Sequence, residues 1–325
     1  MRFGLFGGAR TARGDGASDS HAYGDFIAYV TEAERLGFRS VFLVEHHFTG
    51  AGQISASLTL LAYLAARTST IRLGTAVIVL PWHNPVLLAE QAATVDLLSG
   101  GRLDFGIGKG YRAGEFAGFH IPMGEATERF DEAIEVIRKA WTSPGRFSHC
   151  GKRWRYDDIV VEPRPFQAPH PPLWLAAGSP DSIRRAAREG YNLLLDQLGS
   201  VALTIDRVAL FREECRRCGR AYAPEMVAVT RALQIVRNEA ERAAAYETRG
   251  RVVRTIGDLA RGGGTLAPPE LDDAPLLGTP SEIAARLRQL EAGGVENVLL
   301  IDPGANLASL RRFAAEVMPA FVSSP

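Results

Sequence analysis

The sequence predicts an α/β fold: a (β/α)8 TIM barrel forming one domain over residues 1–325, with insertions after the fourth and seventh strands. Three observations carry this. Apolar, β-branched runs alternate with helical spacing about eight times along the chain. Four helix ends share one junction, a glycine followed within a few residues by an apolar strand: Leu36-Gly37-Phe38, Ser99-Gly100-Gly101, Glu189-Gly190-Tyr191 and Ala292-Gly293-Gly294. Titratable side chains gather where the strands stop, above all in Val41-Phe42-Leu43-Val44-Glu45-His46-His47-Phe48. An open, doubly wound sheet would alternate in the same way, because alternation alone does not show closure.

Each element has its own signal. Residues 2–6 are a short apolar strand ending at Gly7-Gly8, and a polar loop runs to about Ser20. Phe26, Ile27, Val30, Ala33 and Leu36 carry helical spacing that Gly37 stops. Strand 40–44 follows, then helix 58–66 and a β-branched strand over 71–79 ended by Pro81. Pro85 opens a helix to residue 98; 103–107 is a strand, Gly108-Lys109-Gly110-Tyr111-Arg112 its exit loop, and 125–141 a long helix. Residues 144–172 read as an extended, Pro-rich insertion. The alternation resumes with strand 173–177, a helix from Pro180, strand 191–195, helix 203–217, strand 226–236 and helix 238–250. Residues 251–277, with Gly262-Gly263-Gly264 and Pro268-Pro269, read as an irregular segment and a candidate lid. Helix 280–291, strand 295–301 and a last helix from Leu307 close the chain.

Composition narrows the function classes. Lys+Arg and Asp+Glu both number 37, so no excess charge draws the chain to nucleic acid or to an anionic membrane. No window approaches the ~18 consecutive apolar residues of a membrane span. The N-terminal apolar run is too short for a secretion signal, and three cysteines suit a reducing compartment, which together point to the cytoplasm. Cys215-Arg216-Arg217-Cys218 closes a helix, with only Cys150 left as a further thiolate, and reads as a helix end rather than a zinc site.

In a barrel the strand exits share one face. That face would hold Glu45, His46, His47, Trp82, His83, Lys109, Tyr111, Arg112, Gly178, Ser179, Ser182, Asp196, Gln197 and Asp302. A metal would need ligands two apart on a strand, and His46 and His47 are adjacent, so they point to opposite sides. Gly108-Lys109-Gly110-Tyr111-Arg112-Ala113 fits G-x-G-x-x-A by letter, yet the 113–119 segment after it is too short for that motif's crossover helix. Ala177-Gly178-Ser179-Pro180-Asp181-Ser182 puts a glycine, two hydroxyls and fresh N–H groups at a helix start. Two readings stay open there: a phosphate cup with Lys109 or Arg129 as counter-charge, or a plain Ser179 cap with Pro180 at the first helical position. A purely structural His46 would be a core histidine satisfied by Glu45.

Several of these segments, taken together, resemble the luciferase-like, flavin-dependent monooxygenases over nearly the whole chain. They are Leu43-Val44-Glu45-His46-His47-Phe48-Thr49, Leu73-Gly74-Thr75-Ala76-Val77-Ile78-Val79-Leu80-Pro81, residues 97–108, Gly278-Thr279-Pro280-Ser281-Glu282 and Val317-Met318-Pro319. The resemblance implies a (β/α)8 barrel that binds reduced FMN and activates O2 as a flavin C4a-hydroperoxide. His46 would be the catalytic acid/base. Lys109, Tyr111, Arg129, Ala177, Gly178, Ser179 and Ser182 would hold the flavin phosphate. Ala76 and Val77 would join through a cis, non-proline bond beside the flavin ring. Gly108 stands where the namesake enzyme has a cysteine, so no reactive-thiol chemistry is carried over. The implied enzyme oxidises a small apolar organic molecule such as an aldehyde or ketone, takes FMNH2 from a separate NAD(P)H:flavin reductase, and is a homodimer. An F420-dependent dehydrogenase on the same barrel, or a non-catalytic flavin-binding subunit, would present the same segments.

Overall fold

Eight parallel strands pair in sequence order: β1 (Arg2–Gly7), β2 (Ser40–Leu43), β3 (Arg72–Thr75), β4 (Leu103–Gly108), β5 (Leu173–Ala176), β6 (Asn192–Leu195), β7 (Val227–Ile235) and β8 (Asn297–Ile301). The computed structural model describes residues 1–11, 16–50, 52–260, 273–302 and 306–321. β1 pairs with β2 in the register Leu5↔Val41 and with β8 in the register Phe3↔Val298, which closes the barrel and rules out the open sheet. Helices surround it, and the large apolar core lies between them and the strands. The expected junction glycines take the left-handed conformation that ends a helix without a Cβ penalty, Gly37 at φ 90° and Gly190 at φ 80°. Asn84 and Thr279 cap the helices Pro85–Leu98 and Pro280–Ala292, Thr279 through a reciprocal capping box with Glu282.

Inward-facing residues fill the bore. Phe42 and Trp174 meet edge to face at 5.5 Å, with Leu194, Ala228 and Leu299 beside them. Below them Asp104, buried, accepts from Trp174 Nε1 (3.1 Å) and from Arg72 Nε (2.7 Å). Phe6, Ala76 and Val77 cap this cluster and are only partly buried, which leaves an apolar floor at the barrel mouth.

The long strand expected over 71–79 is broken. β3 pairs with β4 through Leu73↔Leu103 and Gly74↔Asp104, and pairing resumes one residue out of step at Ile78↔Ile107. This is a bulge, with the extra residue on the β3 side. The Thr75 hydroxyl bridges the gap: it donates to Gly106 O (2.7 Å) and accepts from Gly106 N (2.8 Å). The cis peptide expected between Ala76 and Val77 lies within this bulge.

The two insertions differ from expectation in detail. Residues 144–172 contain an antiparallel hairpin, Phe147–Cys150 against Arg155–Ile159. The segment 251–277 is not irregular throughout. The helix Glu239–Ala260 runs through Gly250, because Val252, Val253, Ile256 and Leu259 continue its apolar spacing, and Leu276–Gly278 adds a strand alongside Leu233–Ile235. The Gly262-Gly263-Gly264 and Pro268-Pro269 signals of the candidate lid lie outside the described residues.

Gly106 has no room for a side chain. A Cβ there would sit 1.8 Å from Thr75 O, so Gly106→Ala should lower unfolding stability by about 1–3 kcal/mol in a urea titration, with the slope unchanged.

Candidate active site

The β2 exit carries two imidazoles, and two buried carboxylates hold them apart. Glu45 Oε1 accepts from His47 Nε2 (3.0 Å) and His83 Nε2 (2.7 Å), and its Oε2 accepts from Val79 N (2.8 Å). One carboxylate therefore ties the β2 exit to the segment just past the bulge. Burial alone would raise the Glu45 pKa, but the bonds from His47, His83 and Val79 outweigh it and hold the carboxyl below its usual range.

His46 is not satisfied by Glu45, as a structural role would have had it. Its Nδ1 donates to Glu115 Oε1 (3.0 Å), an oxygen that also accepts from His47 N (2.9 Å). Glu115 sits on the short helix Ala113–Gly118, and Arg112 lies 3.7 Å away while donating to Gln53 (3.1 Å). A carboxylate can only accept, so Nδ1 carries the proton and Nε2 keeps its lone pair. The His46 side chain is 14% exposed. Burial lowers its pKa below the ordinary imidazole value; the bond to Glu115 opposes this and Arg112 adds to it. At neutral pH His46 is thus a neutral, oriented base at the barrel mouth.

An aromatic wall stands beside it. His47, Trp82, Phe116, Phe119 and Phe48 meet at centroid separations of 4.9–5.8 Å, and Phe48, at φ 57°, is 65% exposed.

At the other expected subsite, Ser179 is the helix cap: its Oγ accepts from Ser182 N (3.3 Å) and bonds the Ser182 hydroxyl (2.9 Å). Ser179 is exposed, Ser182 and Gly178 are half-buried and Ala177 is buried. Lys109 Nζ donates to Thr127 (3.3 Å), Tyr111 OH accepts from Arg112 (3.4 Å), and Arg129 is paired with Glu125 (3.0 Å). Among the described residues no hydrogen bond links Lys109, Tyr111 or Arg129 to the serines.

Sequence reasoning missed Glu115, because its helix was weighed only as a failed crossover helix. The one local signal was a carboxylate next to Phe116 in an apolar turn. It also missed Arg207, whose guanidinium lies against Gly178 and pairs with Asp196 at 3.0 Å.

The luciferase-like monooxygenase family profile matches residues 1–297. The chain is 27% identical, across 100% of its length and 96% of the relative's, to the oxygenase component of a flavin-dependent trigonelline monooxygenase from Acinetobacter baylyi. It is 35% identical to the Sinorhizobium fredii protein y4vJ over 57% of this chain and 53% of that one, so it spans about half of that relative. Among solved structures, monooxygenase RslO1 from Streptomyces bottropensis superposes with a TM-score of 0.85 at 26% identity, covering 99% of this chain and 100% of that one.

The His46–Glu115 pair makes a sign-specific prediction. With its folded pKa lowered, His46 contributes stability that is complete above about pH 6.5 and is lost as pH falls from there toward the folded value. Imidazole NMR should show His46 titrating below about 6.5, and Glu115→Gln, which removes the opposing carboxylate, should move it lower still. A midpoint above 6.5 in the wild type would contradict the assignment.

Proposed function

The chain belongs to the luciferase-like monooxygenase family, and from that premise we propose that it is the oxygenase component of a two-component FMN system. It inserts one oxygen atom of O2 into a small organic substrate with an apolar body, such as an aldehyde or ketone, and the other oxygen leaves as water. A separate NAD(P)H:flavin reductase supplies FMNH2. The observation that carries the reading is the neutral His46, oriented by Glu115, beside an apolar floor and an aromatic wall.

The residues fit the cofactor. Phe6, Ala76 and Val77 form an apolar, partly exposed floor suited to a flat ring system. The cup Ala177, Gly178, Ser179 and Ser182 offers hydroxyls and a helix start to the phosphate. Lys109 contacts the Thr127 hydroxyl and no carboxylate among the described residues, so its charge is available to the phosphate; Tyr111 flanks it, and Arg129 would exchange Glu125 for it. Bound reduced FMN supplies the two electrons that activate O2. The chain's own part is to position and exclude water: the aromatic wall screens the mouth, and His46 Nε2 holds or moves the proton that the oxygen transfer requires.

The chain is proposed to work as a homodimer. Leu87 (56% exposed) and Leu98 (62%) lie three turns apart on one face of Pro85–Leu98, and Tyr63 (52%) is exposed on the adjacent helix Ser57–Arg67. Leu98→Glu should shift the sedimentation of a dimer toward the monomer; an unchanged profile would move the interface elsewhere.

Turnover is tested with FMN, NADH, a flavin reductase and an aldehyde and ketone panel. His46→Ala should fold and bind FMN, yet lose product by ~10²–10⁴-fold while O2 uptake and H2O2 release continue. An unchanged product-to-H2O2 ratio would remove His46 from the chemistry. Turnover with F420 and no O2 uptake would assign the deazaflavin dehydrogenase instead.

A further inference from the structure

Across the barrel from the β2 exit, three arginines meet around the β6 exit loop. Arg231 on β7 is fully buried and donates to Thr230 O (2.9 Å), Asp196 O (3.4 Å) and the Thr204 hydroxyl (2.5 Å). Arg249, on the helix Glu239–Ala260 and 7% exposed, donates to the side-chain oxygen of Gln197 (2.5 Å) and to its carbonyl (3.0 Å). Arg207, on the helix Val201–Arg217, pairs with Asp196 and borders Gly178. Among the described residues, neither Arg231 nor Arg249 has a carboxylate in contact, and the Nε atoms of all three arginines are buried without a partner.

The nearby carboxylates are already engaged. Asp196 Oδ2 holds Arg207, its Oδ1 accepts from Leu198 N (2.7 Å) and Gly199 N (3.2 Å), and Asp273 accepts from Val201 N (3.2 Å). Burial pushes the Arg231 and Arg249 guanidinium groups down to about 10, which still leaves both charged at neutral pH. Buried charges are costly unless paired. A bland structural role for Arg249, clamping Gln197, would need a donor but not a charge. It would also leave three unpartnered Nε groups in one place unexplained.

We propose that Arg207, Arg231 and Arg249 receive an oxyanion carried by the organic substrate, a carboxylate or a phosphate, so that the substrate is an organic anion with an apolar body. This deepens the oxygenase reading and rests on it. The helix that carries Arg249 also packs against Ala113–Gly118, the helix of Glu115 and Phe116, so one element spans from the arginines to the aromatic wall. The incoming oxyanion takes the place of the Gln197 oxygen on Arg249, and the charges of the buried Arg231 and the half-buried Arg207 beside it favour an anion there. The serines at the other subsite are left for the cofactor.

The test is thermal unfolding of the FMN-saturated protein with benzoate, phenyl phosphate or the neutral benzamide as probe. Benzoate or phenyl phosphate should give a saturable rise in Tm, and benzamide none. Arg249→Met should weaken the apparent affinity for the anion by about 10- to 100-fold, with Arg249→Lys in between. An equal rise with benzamide, or no rise with either anion, overturns the proposal, and this comparison needs no variant. FMN and riboflavin titrations of Arg249→Met decide the source of the oxyanion: a selective loss of FMN affinity would give the cluster to the cofactor's phosphate and overturn the substrate assignment. Failure of the wild type to bind FMN would refute the oxygenase reading alone, since the same anion response in the flavin-free protein would still uphold the site.

Discussion

Every feature of the mouth depends on β1 bonding to β2 on one side and to β8 on the other. Closure forces alternate side chains into a bore that must be filled, and Phe42, Trp174, Leu194, Ala228 and Leu299 fill it. Large rings can enter only where the facing strand gives way, which is why Gly74 lies opposite Phe42, where a Cβ would be 2.4 Å from the ring. Closure also gathers the strand exits at one end. Residues far apart in sequence, such as His46 and Glu115, meet there because the barrel shares that end among all its strands.

At the mouth, two adjacent imidazoles bond two different carboxylates. His47 shares the buried Glu45 carboxylate with His83 and Val79 N, and this knot ties the β2 exit to the far side of the bulge. His46 has one carboxylate partner, a partly open position and, among the described residues, no hydrogen bond at its other ring nitrogen. The first arrangement spends its hydrogen bonds on rigidity. The second leaves a lone pair unspent, which is what proton transfer needs. Fixing the first is what holds the second in place, since both side chains leave the same short loop.

The two sides of the mouth differ in chemistry. Aromatic rings gather on the β2–β4 side, while guanidinium groups gather beyond β6 and β7. The helix Glu239–Ala260 touches both. On the proposed reading, a substrate with an apolar body and a charged head would be oriented by that polarity alone, with its apolar portion directed toward His46 and away from the arginines. Orientation of this kind restricts which substrate atom is presented for reaction.

The alternation of apolar runs, the glycine junctions and the Pro-led helix starts depend on neighbours within a few residues, so the eight strands and most of their helices were legible in the sequence. His46 and His47 lie past the end of β2, and there they bond different carboxylates, Glu115 and Glu45. Helix Glu239–Ala260 was cut short at Gly250 because a glycine is a weak local stop that tertiary packing overrides. What the sequence could not disclose were the long-range partners: Glu115 for His46, His83 for Glu45, and the meeting of Arg207, Arg231 and Arg249. Those pairings carry no spacing signal, because barrel closure, and not chain proximity, brings the residues together.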